Sequence, residues 1–232
     1  MLEIEDLTFR YKGQADAVFE NFSMTLIEGR IYGLLGRNGT GKSTLLYLMS
    51  GLLTPLKGRA TLNGTDVRLR FPLTMREIFL VPDEFELPDV TLSEYVGSNS
   101  VFYPRFSHED MLTYLKTFGM NGEYHLSSLS LGQRKKIFMS FAMATHTRVL
   151  LMDEPTNGLD IPGKEQFREF LTAGRTPESI FVVSTHQVKD IEQVIDHITV
   201  IDQNRVVADV DAGEISDDEN KDLESFFKTL DF

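Results

Sequence analysis

The stretch Gly36-Arg37-Asn38-Gly39-Thr40-Gly41-Lys42-Ser43 decides the fold of this 232-residue chain. It matches the pattern G-x-x-x-x-G-K-[ST], in which glycines allow backbone N–H groups to turn inward around phosphate oxygens. An apolar run at residues 31–35 precedes it, and a helix-like stretch at residues 43–49 follows it. Strand, glycine loop and helix is the order that such a site requires, because the start of the helix presents its positive end to the anion.

Three side chains of this loop have distinct predicted roles. Lys42 would reach the β- and γ-phosphates as a mobile cation, and the Ser43 hydroxyl would ligate Mg²⁺. Thr44 is placed to touch the α-phosphate. The predicted nucleotide-binding residues of the loop are Gly36, Arg37, Asn38, Gly39, Thr40, Gly41, Lys42, Ser43 and Thr44.

Composition narrows the possible function classes. The chain has 23 basic and 35 acidic residues, a net charge of −12, so we expect no nucleic-acid partner, although Arg134-Lys135-Lys136 is a local basic cluster. The absence of cysteine excludes disulfides and cysteine-ligated metals. The first residues lack the apolar core of a secretory signal, and no apolar run approaches the roughly 20 residues of a membrane-spanning helix. These features predict a soluble protein.

Hydrophobic patterning predicts an α/β protein. Residues 2–11, ending in Tyr11, alternate apolar and polar side chains as half-buried strands do. Residues 149–152 and 180–183 are continuous apolar runs, typical of parallel strands covered on both faces. We predict one domain over residues 1–232, with a core at about 1–83 and 145–212, a helical lobe inserted at about 84–144, and an acidic tail at 213–232 that ends in an amphipathic helix.

Two further stretches point to a particular class of nucleotide-binding protein. Leu129-Ser130-Leu131-Gly132-Gln133 resembles the LSGGQ signature of ABC ATPases, and it precedes Val149-Leu150-Leu151-Met152-Asp153-Glu154-Pro155 by a short helix. The second stretch is an apolar strand that delivers two carboxylates at its carboxyl end, where open α/β sheets place their ligands. Asp153 would hold Mg²⁺ directly or through water, and Glu154 would orient or deprotonate the attacking water.

The resemblance extends in chain order from Tyr11 to His186. Gly158-Leu159-Asp160 resembles the loop that crosses the family's dimer interface, His186 resembles its switch histidine, and Tyr11 resembles the aromatic that stacks on adenine. Each match is weak alone, since a lone histidine or an alternating tyrosine is more often a packing residue. Together they imply an α/β P-loop NTPase core with a mostly parallel sheet, an N-terminal antiparallel β portion and an inserted helical subdomain.

The resemblance also implies an activity and a second chain. The activity is ATP hydrolysis with ATP and Mg²⁺ as cofactors, and the catalytic residues would be Lys42, Glu154 and His186. Hydrolysis in the family takes place at a head-to-tail dimer interface, so a second copy or a homologous ATPase is expected. The further ATP contacts that the resemblance implies are Tyr11, Ser130, Gly132, Gln133 and Asp160.

Two positions depart from the family pattern. Asp83 follows the strand that enters the helical lobe, where family members usually carry glutamine. An aspartate there is either a charged ligand of Mg²⁺ or a side chain that points to solvent, and the sequence leaves both open. Leu131 replaces a glycine of the signature, and we expect its side chain to face away from the phosphates because Ser130 and Gly132 are kept.

The resemblance further implies an integral membrane transporter subunit as partner, and hence a cytoplasmic location on the inner face of the cell membrane. Phe102-Tyr103-Pro104-Arg105-Phe106 resembles a stretch found in bacterial export ATPases, which favours export, although such aromatics more often form a core. A soluble ABC ATPase without a membrane partner and an ATP-switched regulator remain alternatives. A GTPase is disfavoured because Asn220-Lys221-Asp222-Leu223 does not complete a guanine-reading motif.

Overall fold

The structure, a computed structural model, describes residues 1–202 and 205–216. The strands are β1 Leu2–Phe9, β2 Phe19–Leu26, β3 Arg30–Leu35, β4 Lys57–Leu62, β5 Thr65–Asp66, β6 Ile78–Val81, β7 Val149–Asp153, β8 Ile180–Thr185, β9 His197–Asp202 and β10 Arg205–Asp211. The α-helices are α1 Lys42–Met49, α2 Pro72–Met75, α3 Leu92–Asn99, α4 His108–Thr117, α5 Leu131–Ala144, α6 Ile161–Gly174 and α7 Ala212–Ser216. The predicted amphipathic end of the tail, within residues 217–232, lies outside the described residues.

The strands form two sheets. The larger has the order β10-β9-β3-β8-β7-β6, with parallel pairing throughout except for the antiparallel β10. The smaller, β2-β1-β4-β5, is antiparallel. The predicted fold class is therefore confirmed, and α3, α4 and α5 are the helices inserted between β6 and β7.

The continuous apolar character of β7 follows from its position inside the larger sheet. Leu150 and Met152 belong to the core beneath the inserted helices, whereas Val149 and Leu151 belong to the core beneath the antiparallel sheet. Since both faces of the strand are covered, every position must be apolar. This packing places Asp153 at the carboxyl edge of the sheet, beside the end of β8.

The N-terminal strand differs from the predicted alternation. Ile4 and Leu7 are both buried although three positions separate them, because the pairing with β2 shifts register between these residues. Asp6 adopts a left-handed conformation with φ 45° at this irregularity. The strand then ends at Phe9, so Tyr11 lies beyond it and not within it as the alternation predicted.

Aromatic side chains organise the inserted helices. Phe141 of α5 is buried, and its ring centroid lies 5.3 Å from that of Tyr95 and 5.1 Å from that of Phe106. Tyr103 also packs against this core, whereas Phe102 is 68% exposed. The aromatic stretch that resembles export ATPases thus supplies core residues, as the more common use of such aromatics predicts, together with one exposed ring.

Candidate active site

The predicted phosphate loop lies between β3 and α1, at the carboxyl edge of the larger sheet. Gly41, the residue before α1, has φ 102°, and a Cβ atom there would lie 2.9 Å from both Phe19 Cζ and Val18 Cγ1. A Cβ atom on Gly36 would lie 2.4 Å from the Ile201 carbonyl oxygen. The loop is therefore packed from behind so closely that these two positions require glycine.

A cavity of about 470 Å³ opens in front of this loop. It brings together predicted residues from the loop, from the segments that follow β6, β7 and β8, and from the segment after β1. Three further lining residues were not singled out from the sequence: Gln14, Val18 and Asn157. Asn157 could have been found, because it lies between the predicted Glu154 and Gly158. The predicted residues that line the cavity are Tyr11, Asn38, Gly39, Gly41, Lys42, Ser43, Thr44, Asp83, Glu154 and His186.

Glu154 lies at the centre of the charged groups in this cavity. Its carboxylate is 3.0 Å from Nδ1 of His186 and 3.5 Å from Nζ of Lys42. The backbone of Glu154 is left-handed with φ 44°, a conformation that costs a non-glycine residue about 1–3 kcal/mol and is typical of functional sites. Ser184 of β8 holds this turn, since its carbonyl oxygen accepts from Glu154 N at 3.0 Å and its hydroxyl donates to Asp153.

Lys42 is a buried cation, 5% exposed. Its Nζ donates to the carbonyl oxygens of Gly36 at 2.8 Å and Arg37 at 3.1 Å. Burial lowers the pKa of Lys42, and the nearby Glu154 carboxylate opposes that shift. Burial disfavours the charged ammonium, and an anion that enters the cavity would favour it, because a nearby opposite charge stabilises the charged form.

The donors at the site fit Mg²⁺. The Ser43 hydroxyl lines the cavity, and the Asp153 carboxylate is buried at the end of β7, next to Glu154. Both are hard oxygen ligands, which this ion prefers. Within residues 1–202 and 205–216, no cluster of three or more histidine, aspartate or glutamate side chains is arranged to hold a metal. Mg²⁺ is commonly bound through one or two protein oxygens, with phosphate oxygens and water completing its shell.

Asp83 lines the cavity, and its partner was not anticipated from the sequence. Oδ1 of Asp83 accepts from Nζ of Lys135 at 2.7 Å, and the Asp83 side chain is 38% exposed. The carboxylate therefore neither points freely to solvent nor faces the cavity as an unpaired charge. Lys135 itself is 2% exposed, so the basic cluster of which it is part is not a surface patch.

Other predicted residues lie apart from the cavity and have local structural contacts. The Ser130 hydroxyl accepts from Gln133 N at 3.3 Å and the Gln133 side chain accepts from Ser130 N at 3.0 Å, a capping box that begins α5. Asp160 caps α6 by accepting from Gly163 N at 2.9 Å. Gly132 packs so closely on Gly158 that a Cβ atom would lie 2.9 Å from the Gly158 carbonyl oxygen.

Each of three further residues, namely Leu131, Tyr11 and Thr40, has a specific neighbour. Leu131 is 49% exposed and lies against Gly158. Tyr11 is at the rim of the cavity, where its hydroxyl is 3.0 Å from that of Thr44. The Thr40 hydroxyl is buried and donates to the Arg37 carbonyl oxygen at 2.9 Å, which braces the loop from within.

A glycine loop between a strand and a helix, with two carboxylates at the end of a nearby parallel strand, defines a P-loop NTPase. Within that class the chain belongs to the ABC transporter family, whose model, described as ABC transporter, matches residues 19–157. The chain accordingly carries the family's ATP-binding, ATP-hydrolysing cassette.

Characterised and uncharacterised relatives agree with this assignment. An uncharacterised ABC transporter ATP-binding protein of Bacillus subtilis is 28% identical over 83% of this chain, which spans 64% of that protein. A phosphonates import ATP-binding protein of Wolinella succinogenes is 31% identical over 90% of this chain and 82% of its own length. A Nod factor export ATP-binding protein of Cupriavidus metallidurans is 29% identical over 87% of this chain and 69% of its own length.

Solved structures show the same fold. An ATP-binding subunit of an ABC transporter superposes with a TM-score of 0.86 at 23% identity, covering 99% of both chains. A bacterial ABC transporter cassette whose structure is dimeric superposes with a TM-score of 0.79 at 23% identity, covering 91% of this chain and 99% of its own. In the part of our chain that the structure describes, no helix has the length and apolar character needed to cross a bilayer.

Proposed function

We propose that this chain is the ATP-hydrolysing subunit of an ABC transporter, working as a head-to-tail pair that drives export through a separate membrane subunit at the inner face of the membrane. The relatives named above are an importer and an exporter component, which supports a transport role in either direction. Export is favoured by the resemblance of the stretch Phe102-Tyr103-Pro104-Arg105-Phe106 to bacterial export ATPases.

The position of the Glu154 carboxylate between Lys42 and His186 carries the catalytic part of this proposal. A carboxylate at the edge of a phosphate cavity can accept a proton from a water that attacks the γ-phosphate. His186, within hydrogen-bond distance of that carboxylate, would orient it and the water. Lys42 would hold the β- and γ-phosphates. Mg²⁺, held by Ser43 and Asp153, would neutralise charge on the phosphate oxygens.

The exposed signature supports the paired arrangement. Ser130 and Gln133 are exposed at the start of α5 but do not line the cavity of their own chain. Backbone N–H groups at a helix start can bind a phosphate, so a second copy could receive this helix end over its own cavity. We expect the ATPase rate per chain to rise with protein concentration through the dimerisation range. A rate per chain that stays constant across that range would contradict the pairing.

The catalytic assignment is tested with Glu154→Gln. The variant should bind ATP as the wild type does, because glutamine keeps the shape and an acceptor oxygen, whereas phosphate release should fall by about 10²- to 10⁴-fold. Glu165→Gln, at an exposed position on α6 outside the cavity, is the control and should leave both measurements unchanged. Near-normal phosphate release from Glu154→Gln would refute its role as the base.

An exposed apolar surface offers a place for the membrane subunit. Phe71 and Leu73 are 51% and 65% exposed beside the strand that leads to the cavity, and Leu52 is 57% exposed. The Arg70 guanidinium donates to the Gly51 carbonyl oxygen at 3.0 Å, which brings the two segments together. Apolar side chains that a soluble chain leaves exposed in one region indicate an interaction site.

The membrane partner is tested with Phe71→Glu/Leu73→Glu. The double variant should keep its ATPase activity. It should no longer retain an integral membrane protein when it is incubated with detergent-extracted membranes. Leu112→Glu, at a 58% exposed position on α4, is the matched control. Equal retention by all three proteins would remove this surface from the proposal.

Direction is tested by comparing metabolites in cells and medium, since a strain carrying Glu154→Gln should accumulate the cargo inside the cell if the transporter exports it.

A further inference from the structure

A buried lysine outside the predicted site connects two segments of the cavity wall. Lys135 lies on α5, the helix that begins at the signature, and is 2% exposed. Its ammonium donates to Oδ1 of Asp83 at 2.7 Å and to the carbonyl oxygen of Glu154 at 3.1 Å. A fully buried ammonium is rare unless it is paired, so both contacts are needed to keep this lysine inside the protein.

The first contact determines the charge that the cavity presents to an anion. Asp83 lines the same cavity as Lys42 and Glu154. An unpaired carboxylate at this position would repel a triphosphate, whose own charge is strongly negative. Because Lys135 places a positive charge 2.7 Å from the carboxylate, the pair is neutral as a whole.

The second contact acts on the backbone of Glu154, the proposed base. Glu154 is left-handed, with φ 44°, and a residue in this conformation persists only when its surroundings hold it there. Lys135 binds the carbonyl oxygen of that residue, while Ser184 binds its N–H group. The two contacts hold the peptide groups on either side of the Glu154 Cα atom, and the carboxylate of this residue lies 3.0 Å from Nδ1 of His186.

We propose that Lys135 is a positioning residue for ATP hydrolysis: its ammonium neutralises Asp83 at the cavity wall and holds the Glu154 peptide in its left-handed turn. This inference rests on the proposed function and extends it to a residue that does not line the cavity. It predicts that removing the positive member of this ion pair weakens ATP binding, whereas removing the negative member strengthens it.

The test compares Lys135→Met, Asp83→Asn and the double variant by binding of a fluorescent ATP analogue in EDTA, which needs no metal and no turnover. Lys135→Met exposes the Asp83 charge and should weaken binding about five- to tenfold, and Asp83→Asn leaves an excess positive charge and should tighten it by a similar factor. The double variant should bind within about twofold of wild type. Its hydrolysis should remain low, because the Glu154 carbonyl oxygen has lost its donor.

A second cation that binds both a carboxylate and a carbonyl oxygen provides the control, and its side chain is 45% exposed. Arg105 donates to Glu77 and to the His146 carbonyl oxygen, at the opposite end of β6 from Asp83. Arg105→Met should lower the melting temperature, as Lys135→Met does, but leave ATP affinity in EDTA unchanged. A merely structural role for Lys135 would make the two variants behave alike, and that result would overturn the inference.

The remaining outcomes separate this inference from the proposed function. If Lys135→Met does not fold, Asp83→Asn and the double variant still test the predicted tightening and its reversal. A wild-type protein that binds no ATP refutes the proposed function and this inference together. A wild type that binds and hydrolyses ATP, with Asp83→Asn and the double variant unchanged in affinity, refutes the role of Lys135 alone.

Discussion

Substitution of Gly41 by alanine gives a stringent test of how the phosphate loop is built. Gly41 has φ 102°, a region that L-residues other than glycine rarely adopt, and forcing alanine there costs about 1–2 kcal/mol. The new methyl group would also lie 2.9 Å from Val18 and Phe19, where overpacking typically costs a further 1–3 kcal/mol or so. We therefore expect Gly41→Ala to lose roughly 2–5 kcal/mol of unfolding free energy.

Gly39 in the same loop separates the two contributions. It has φ 86°, but a Cβ atom there would meet nothing within 4 Å, so Gly39→Ala should pay only the backbone cost. One kcal/mol corresponds to about 2–4 °C in the melting temperature of a domain of this size. In thermal unfolding without nucleotide, the melting temperature should thus fall by roughly 4–20 °C for Gly41→Ala and by roughly 2–8 °C for Gly39→Ala.

A third glycine separates stability from binding. Gly64 has φ 79° in the turn between β4 and β5, has open space around a Cβ atom, and lies outside the cavity. Gly64→Ala should lower the melting temperature like Gly39→Ala but leave ATP affinity unchanged, whereas Gly41→Ala should weaken both. Equal melting temperatures for Gly41→Ala and Gly39→Ala would refute the argument that the loop is packed tightly from behind.

Two further predictions concern Asp110 on the inserted helix α4 and Phe170 on α6. Hydrogen bonds with Ser107 and then His146 hold the pKa of Asp110 below its usual value. A carboxyl group with a lowered folded-state pKa stabilises the protein above its unfolded pKa, and this contribution is lost as the pH falls through the folded-state value. Asp110→Asn should therefore lower the free energy of unfolding at pH 7 by no more than about 1 kcal/mol, which thermal unfolding would show as a slightly lower melting temperature. This difference from wild type should vanish in acid, and a difference that persists unchanged into acid would contradict the argument. Phe170 is fully buried, so Phe170→Ala should cost about 3–5 kcal/mol in denaturant unfolding. The exposed Phe102→Ala should stay within about 0.5 kcal/mol, and similar losses for both would contradict the packing described.

Much of the fold and of the site could be predicted because the signals lie among neighbouring residues in the sequence. The strand, glycine loop and helix around Lys42 are adjacent in sequence, so their spacing alone predicts a phosphate site. The apolar run before Asp153 and Glu154 predicts a buried parallel strand with acids at its end, which β7 confirms. The error at Tyr11 arose because pairing between strands, and not alternation, decides where β1 ends.

The sequence by itself determined which chemical groups this protein has and the order of strand, loop and helix at the phosphate site, because those signals lie within a few neighbouring residues. Only the tertiary structure decided which groups meet. Lys135 and Asp83 are 52 positions apart, and Ser184 reaches Glu154 across 30. Such partners depend on the order of strands in the sheet and on how α5 packs against it, and no local pattern of residues encodes that arrangement.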